Sequence, residues 1–174
     1  MRQFGFGAAS GLGTWESTEV SKGDVTLRIT AMPGQHAPGM LSAALPEVMG
    51  TLLEFRQGGA RAGTDGDAAP SLRLYITGDT IMYDGLAEIA ERHPEIDIAL
   101  LHLGGTRVMG LTVSMDAEQG VELLRTVQPR TAIPIHYADY EAFKSPLSDF
   151  VTLVNEAGLA ERVSYVLPGD RFLL

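Results

Sequence analysis

The pattern of apolar and polar positions divides the chain into two parts, which differ in the secondary structure that they predict. In the first part, residues 25–32 (Val-Thr-Leu-Arg-Ile-Thr-Ala-Met) alternate apolar with polar side chains, which predicts a strand with two unlike faces. Residues 50–55 predict a second strand. Residues 1–23 are glycine-rich at first and end in a turn signal, and residues 57–70, rich in Gly, Ala and Asp, predict a flexible hairpin connection.

The second part alternates strands with helices. Strands are predicted at residues 72–77, 96–103, 131–135, 163–167 and 171–174, and helices at residues 83–92, 116–127 and 145–157. Asp116 with Gln119 three residues later forms a capping-box pattern, and Ser145 is expected to cap a helix that begins at Pro146. Because alternating strands and helices need crossover connections, the pattern predicts a layered α/β domain.

Composition narrows the class of protein. A chain of 174 residues with 45% hydrophobic residues is typical of one globular domain with a substantial core. The net charge of -9, with only two lysines, argues against a nucleic-acid partner, because phosphate binding requires clustered Lys and Arg. No apolar run approaches the ~20 residues that a membrane span needs. The chain has no cysteine, which excludes disulfides and Cys-ligated metals and leads us to expect a cytoplasmic protein.

Side chains that can bind a metal ion follow the ends of predicted strands. Asp79 comes directly after Gly78, an arrangement that delivers a carboxylate to a sheet edge but also suits a simple turn. His36 lies in the loop after the first strand, and His136 follows the strand at residues 131–135. Two imidazoles and a carboxylate suit zinc, and also iron or manganese, and they leave coordination positions open for catalysis.

Other polar residues have structural as well as functional interpretations. His93 ends a predicted helix, where a cation meets the negative end of the helix dipole. His102 lies inside an apolar strand, and a satisfied core histidine or one that supports the ligands is the favoured interpretation there. Asp84 and Asp139 are candidate acceptors for histidine N–H groups. Some tyrosines suit either a substrate cleft or ordinary packing, namely Tyr83, Tyr137 and Tyr140.

Three segments together resemble the last three metal-binding motifs of the metallo-β-lactamase superfamily. They are residues 29–36 (Ile-Thr-Ala-Met-Pro-Gly-Gln-His), 75–80 (Tyr-Ile-Thr-Gly-Asp-Thr) and 133–137 (Ile-Pro-Ile-His-Tyr). The most similar branch is that of the ascorbate-phosphate lactonases and the N-acylphosphatidylethanolamine-type phospholipase D enzymes. Residues 99–105 also resemble the strand between the last two motifs, with His102 where a proline is common.

The resemblance implies a four-layer αββα sandwich, of which this chain is mostly the C-terminal half, with one or two metal ions at the sheet edges. The residue that matches Asp79 would bridge the two metals, His36 would complete the first site and His136 the second. The residues expected to support these ligands are Thr80, His102 and Tyr137. The resemblance further implies that a metal-bound hydroxide, with zinc as the expected metal and manganese or iron as substitutes, hydrolyses a small-molecule ester, lactone, amide or phosphodiester.

One motif of that superfamily is absent. The family begins with His-x-His-x-Asp-His, whereas His36 is the only histidine before residue 93. We therefore expect a single domain over residues 1–174 that is incomplete at its N-terminus, and a hydrolase that is impaired unless the missing ligands are supplied. The alternative is a non-catalytic binding or assembly module with an exposed apolar sheet face that favours a homodimer. A further option is a mononuclear site in which His102 joins His36, Asp79 and His136.

Overall fold

A six-stranded sheet forms the centre of the fold. The structure, a computed structural model, describes residues 5, 7–57, 70–108, 110–138, 140–141 and 143–173. The sheet has the order β1-β2-β3-β4-β5-β8. Its strands are β1 (Ser17–Lys22), β2 (Val25–Met32), β3 (Gly50–Gln57), β4 (Leu72–Ile76), β5 (Ile98–His102) and β8 (Thr131–Ile135), and a separate two-stranded ribbon pairs β6 (Arg107–Val108) with β7 (Leu111–Thr112). Strands β1 to β4 are antiparallel neighbours, while β4, β5 and β8 are parallel.

The first two helices supply the crossovers between the parallel strands, and the third follows the last of these strands. They are α1 (Ala87–Arg92), α2 (Ala117–Val127) and α3 (Leu147–Glu156), and short 3-10 turns occur at Gly39–Ala44, Asp84–Leu86 and Ala160–Arg162. The hydrophobic core joins sheet residues to helix residues: Leu52, Tyr75, Ala99, Leu101 and Ala132 with Ile89, Leu123, Leu124, Phe150 and Val154. Within the described residues, no helix is long and apolar enough to cross a membrane.

The opposite face of the sheet is apolar and only partly buried. Ile29, Leu53 and Leu74 lie side by side across β2, β3 and β4, and each is half-buried. Side chains alternate between the faces of a strand, so the neighbouring residues Leu52 and Tyr75 point to the helix side and are fully buried. The sheet therefore has an apolar face, but the three residues are half-buried and not exposed as expected. Its pairing with a second copy of the chain stays a prediction.

The strand predictions fail at both ends of the described chain. Strand β1 was not predicted, because all its residues are exposed and no apolar stripe marks it. The closing strand predicted at residues 163–167 is wrong: Val163 makes a single parallel bridge to Ala132, and the chain then turns away at Pro168 and Gly169. Residues 171–173 also form no strand, and residue 174 lies outside the described residues, as does most of the connection predicted at residues 57–70.

The helix caps differ from the pattern in an informative way. Asp116 caps α2 as predicted, since its Oδ1 accepts a hydrogen bond from Gln119 N at 3.1 Å. The Gln119 side chain instead accepts from Met82 N at 2.8 Å. The prediction that Ser145 caps α3 is wrong, because the Ser145 hydroxyl accepts from Ala117 N at 2.9 Å. The Ser145 hydroxyl lies next to the first residue of α2, so the unpaired backbone N–H that it reaches belongs to that helix.

Candidate metal centre

The candidate ligands lie at one edge of the sheet. Strand β2 is antiparallel to β3, and β3 is antiparallel to β4, so β2 ends at the same edge as β4, β5 and β8. His36 and Asp79 follow β2 and β4, and their side chains approach with 3.8 Å between His36 Nδ1 and Asp79 Oδ2. His102 ends β5 and His136 follows β8, with 5.3 Å between the ring centres. The folded chain thus brings the sequence-predicted residues together in two pairs.

A glycine turn fixes Asp79. Gly78 has φ +67°, a conformation that other residues rarely adopt, and a Cβ at this position would collide with the carbonyl oxygen of Met49. The turn directs the carbonyl oxygen of Asp79 at His36 Nδ1, 2.9 Å away. A carbonyl oxygen only accepts, so Nδ1 carries the proton and the lone pair of His36 is on Nε2. This tautomer, held by a backbone oxygen, is the one typical of a metal-binding histidine.

Thr80 connects the two ligand-bearing loops. Its fully buried hydroxyl accepts a hydrogen bond from Gln35 N at 2.9 Å, and Ile81 N donates to Gln35 O at 2.8 Å. The hydroxyl proton lies within reach of Gln35 O at 3.2 Å and Ile81 O at 2.9 Å. Thr80 thereby holds the backbone next to His36 against the turn that carries Asp79. Thr80 therefore supports the candidate ligands by hydrogen bonds to backbone groups, and not by a hydrogen bond to a histidine ring.

His136 lies in a strained and partly apolar position. Its φ of 58° is in the left-handed region, which costs a non-glycine residue of order 1 kcal/mol or more and is typical of functional positions. The imidazole contacts the Phe143 ring with 4.6 Å between centres and the Tyr140 ring with 6.3 Å. Phe143 was not recognised in the sequence, because it lies in a segment without a periodic pattern.

Two unpaired polar atoms of the candidate ligands are possible donors to a cation. Asp79 Oδ1 and His136 Nδ1 are both buried and lack a hydrogen-bond partner among the described residues. Buried polar atoms are normally paired, and an unpaired one is explained by a bound water, an ion or a functional role. A carboxylate oxygen and an imidazole nitrogen are both donors that zinc, iron and manganese accept. Each of these two atoms is therefore of a type that a divalent metal ion accepts as a ligand.

Comparison with known proteins gives the family. The family model described as the beta-lactamase superfamily domain matches residues 6–137. The chain belongs to the beta-lactamase superfamily. A UPF0173 metal-dependent hydrolase of Archaeoglobus fulgidus is 29% identical over 148 residues, covering 84% of this chain and 57% of that protein. A metal-dependent hydrolase of Thermofilum pendens is 37% identical over 97 residues, covering 56% of this chain and 39% of that protein. The chain thus spans only part of these relatives' lengths.

Solved structures agree on the fold. An isothiocyanate hydrolase from Delia radicum gut bacteria aligns with 99% of this chain and 62% of its own, with a TM-score of 0.72 and 17% identity. Igni18, a metallo hydrolase from Ignicoccus hospitalis, aligns with 83% of this chain and 51% of its own, with a TM-score of 0.56 and 24% identity. The sequence resemblance to the metallo-β-lactamase superfamily and the mixed α/β fold it implied are confirmed.

The superfamily site is incomplete in the part of the chain that the structure describes. No three His, Asp or Glu side chains there lie close enough together to hold a metal ion. Tyr137 is half-buried beside His136, and Asp84 begins a 3-10 turn. Asp139 lies outside the described residues. Thr77, which the sequence did not single out, is fully buried and contacts His102.

Proposed function

We propose that this chain is part of a metal-dependent hydrolase in which His36, Asp79 and His136 are metal ligands. The hydrogen bond from His36 Nδ1 to the Asp79 carbonyl carries the proposal, because it leaves Nε2 for a cation beside a carboxylate with an unpaired buried oxygen. The relatives in Archaeoglobus fulgidus and Thermofilum pendens are named metal-dependent hydrolases, which supports the same assignment.

The chain's own residues hold the ligands and shape their surroundings. When bound, the ion supplies a Lewis acid that polarises the electrophile and lowers the pKa of water. The Gly78 turn fixes Asp79, Thr80 fixes the loop of His36, and Phe143 excludes solvent from one side of His136. If two ions are bound, His36, Asp79 and His136 alone would hold each of them weakly. Further ligands from outside these three residues would then be required for full activity. Zinc is the proposed metal, and the proposed substrate is a small ester, lactone or phosphodiester.

Metal binding and hydrolysis test the proposal together. Zinc affinity is measured by calorimetry, and turnover with 4-nitrophenyl acetate and bis(4-nitrophenyl) phosphate, for this chain and for a form extended at its N-terminus. Asp79→Asn keeps the shape but removes the charge, and we expect at least a tenfold loss of zinc affinity. His93→Gln, a histidine change at the end of α1, is the matched control and leaves affinity unchanged. Equal zinc affinity of Asp79→Asn and the parent would contradict the assignment of the ligands. Equal robust turnover of this chain and the extended form would contradict the requirement for further ligands.

The apolar sheet face supports a second candidate function. A non-catalytic module would use the half-buried face around Ile29, Leu53 and Leu74 to pair with another copy. Light scattering after size exclusion distinguishes the two. A dimer that binds no zinc supports assembly without chemistry, while a monomer that binds zinc supports the hydrolase.

A further inference from the structure

Three rings contact one another in the segment that follows β8. The rings of Tyr140 and Phe143 are nearly perpendicular, with 87° between their planes and 5.5 Å between their centres. Both also contact the imidazole of His136, as described above. Aromatic rings prefer such edge-to-face contacts at about 4.5–7 Å, so each ring favours the orientation of its neighbours. Phe143 is half-buried in this cluster, whereas Tyr140 is 67% exposed, which leaves most of an oriented ring open to solvent.

Gly104, which follows β5, lets this segment pack closely against the sheet. A Cβ on Gly104 would lie 2.9 Å from the Phe143 ring, so a larger residue here would displace that ring. Lys144 N donates to Gly104 O at 3.2 Å, and Phe143 N donates to Tyr140 O at 3.2 Å. The exposed ring of Tyr140 is therefore carried by a turn that is joined to the end of β5. A surface that is already ordered loses little conformational entropy when a ligand binds to it.

The same cluster contains a polar atom without a partner. His136 Nδ1 is buried and lacks a hydrogen-bond partner among the described residues. Sites for small molecules combine apolar and aromatic side chains with a few polar groups that orient the ligand. The ring of Tyr140 and the nitrogen of His136 have this combination. Tyr165 does not, because it is 45% exposed but makes no ring contact with another described residue.

We propose that Tyr140 and Phe143 form the aromatic wall of a binding site for a small ligand, one in which a planar aromatic ring carries a polar group such as an amide or an ester. The ring of the ligand contacts the exposed ring of Tyr140 in the geometry that Tyr140 and Phe143 already have with each other. A saturated ring of similar size buries a similar area but lacks the quadrupole that favours this geometry. The proposal goes beyond metal-dependent hydrolysis, because contact with the aromatic wall requires no bound ion.

Binding to the zinc-free chain tests the proposal. The chain is treated with EDTA and titrated with acetanilide, an aromatic amide, and with N-cyclohexylacetamide, its saturated counterpart, and each Kd is measured by NMR. Acetanilide should bind more tightly by roughly 2–12-fold, the worth of one aromatic pair. Tyr140→Leu keeps an apolar side chain without a ring and should lose this preference, whereas Tyr140→Phe should retain it. Tyr165→Leu is the matched control at another exposed tyrosine and should bind like the parent.

Each other result would overturn the proposal. It is wrong if the parent binds neither amide, if the two amides have equal Kd values, or if Tyr140→Leu keeps the preference of the parent. If the exposed ring instead joins two copies of the chain, light scattering should show a dimer that Tyr140→Leu converts to a monomer, without a preference for acetanilide. The zinc titration of Asp79→Asn is independent of these measurements, so a chain that binds acetanilide but no zinc would retain the aromatic site and contradict the hydrolase.

Discussion

Thr80 offers the sharpest test of how the ligand loops are held. Thr80→Val keeps the shape of the side chain and removes its hydroxyl. The hydroxyl accepts from Gln35 N at 2.9 Å, whereas Gln35 O keeps a second partner in Ile81 N at 2.8 Å. Valine therefore leaves one backbone donor, Gln35 N–H, without its partner, next to His36.

The loss of stability expected for Thr80→Val follows from this single unpaired donor. A buried donor left unpaired costs about 1–3 kcal/mol, and Gln35 is half-buried, so the lower part of that range, about 1–2 kcal/mol, is expected. In a domain of this size each 1 kcal/mol lowers Tm by roughly 2–4 °C, so Thr80→Val should melt roughly 2–8 °C below the parent. Because the freed backbone adjoins His36, zinc affinity should also fall by roughly 10–100-fold.

Thr80→Ser is the matched control. It keeps the hydroxyl and loses a methyl group, which costs about 1 kcal/mol of transfer free energy but leaves the loops joined. Urea unfolding is followed through the fluorescence of Trp15, the only tryptophan, and zinc affinity by calorimetry. Serine should retain parental zinc affinity although it lowers stability. If valine and serine bind zinc equally well, the hydroxyl of Thr80 does not hold the His36 loop and the reasoning is refuted.

Three further predictions use the same assays. Gly78→Ala should destabilise by about 2–4 kcal/mol, whereas Gly158→Ala, at a similar φ of +68° but in open space, should cost only about 1 kcal/mol; equal losses would show that Met49 O does not restrict the turn. His136→Asn should weaken zinc binding at least tenfold with little change in stability, because asparagine tolerates the left-handed region; an unfolded variant would contradict this. Burial lowers the pKa of His93 below its ordinary 6.5, so the unfolded chain binds that proton more readily and stability falls as pH drops through 6.5. His93→Gln should lose this part of the pH dependence. If the parent and His93→Gln show the same change of stability between pH 5.5 and 7.5, His93 is not its source.

The sequence predicts the central strands well, because they are buried and end in strong signals. Residues 131–135 were predicted as a strand and form β8 with the same bounds. The prediction for residues 96–103 overshoots β5 by a few residues, since apolar side chains continue beyond the hydrogen-bonded ladder. The exposed β1 and the closing segment after Val163 were mispredicted, because pairing at a sheet edge depends on which neighbour is in reach and not on the segment's own pattern.

The sequence also predicts some features of the candidate site and not others. His36, Asp79 and His136 could be selected because each follows a strand, and strand ends converge at one edge of the sheet. The role of Thr80 could not be predicted, since it depends on the backbone of Gln35, which is distant in sequence. The tautomer of His36 likewise depends on the Asp79 carbonyl oxygen, which only the folded turn brings to its Nδ1 atom.

The register of β5 against β8 has a consequence for changes in chain length. Residue for residue, the ladder runs from Ile98 opposite Thr131 to His102 opposite Ile135. Deleting or inserting one residue within β5 would turn its last side chain to the helix side of the sheet, since side chains alternate along a strand. Point substitutions in the surrounding loops carry no such penalty. Related chains that keep an imidazole at this position should therefore conserve the length of β5 from Ile98 to His102. Changes of length in the loop and helix before β5 should be tolerated, whereas bulges within β5 should be rare.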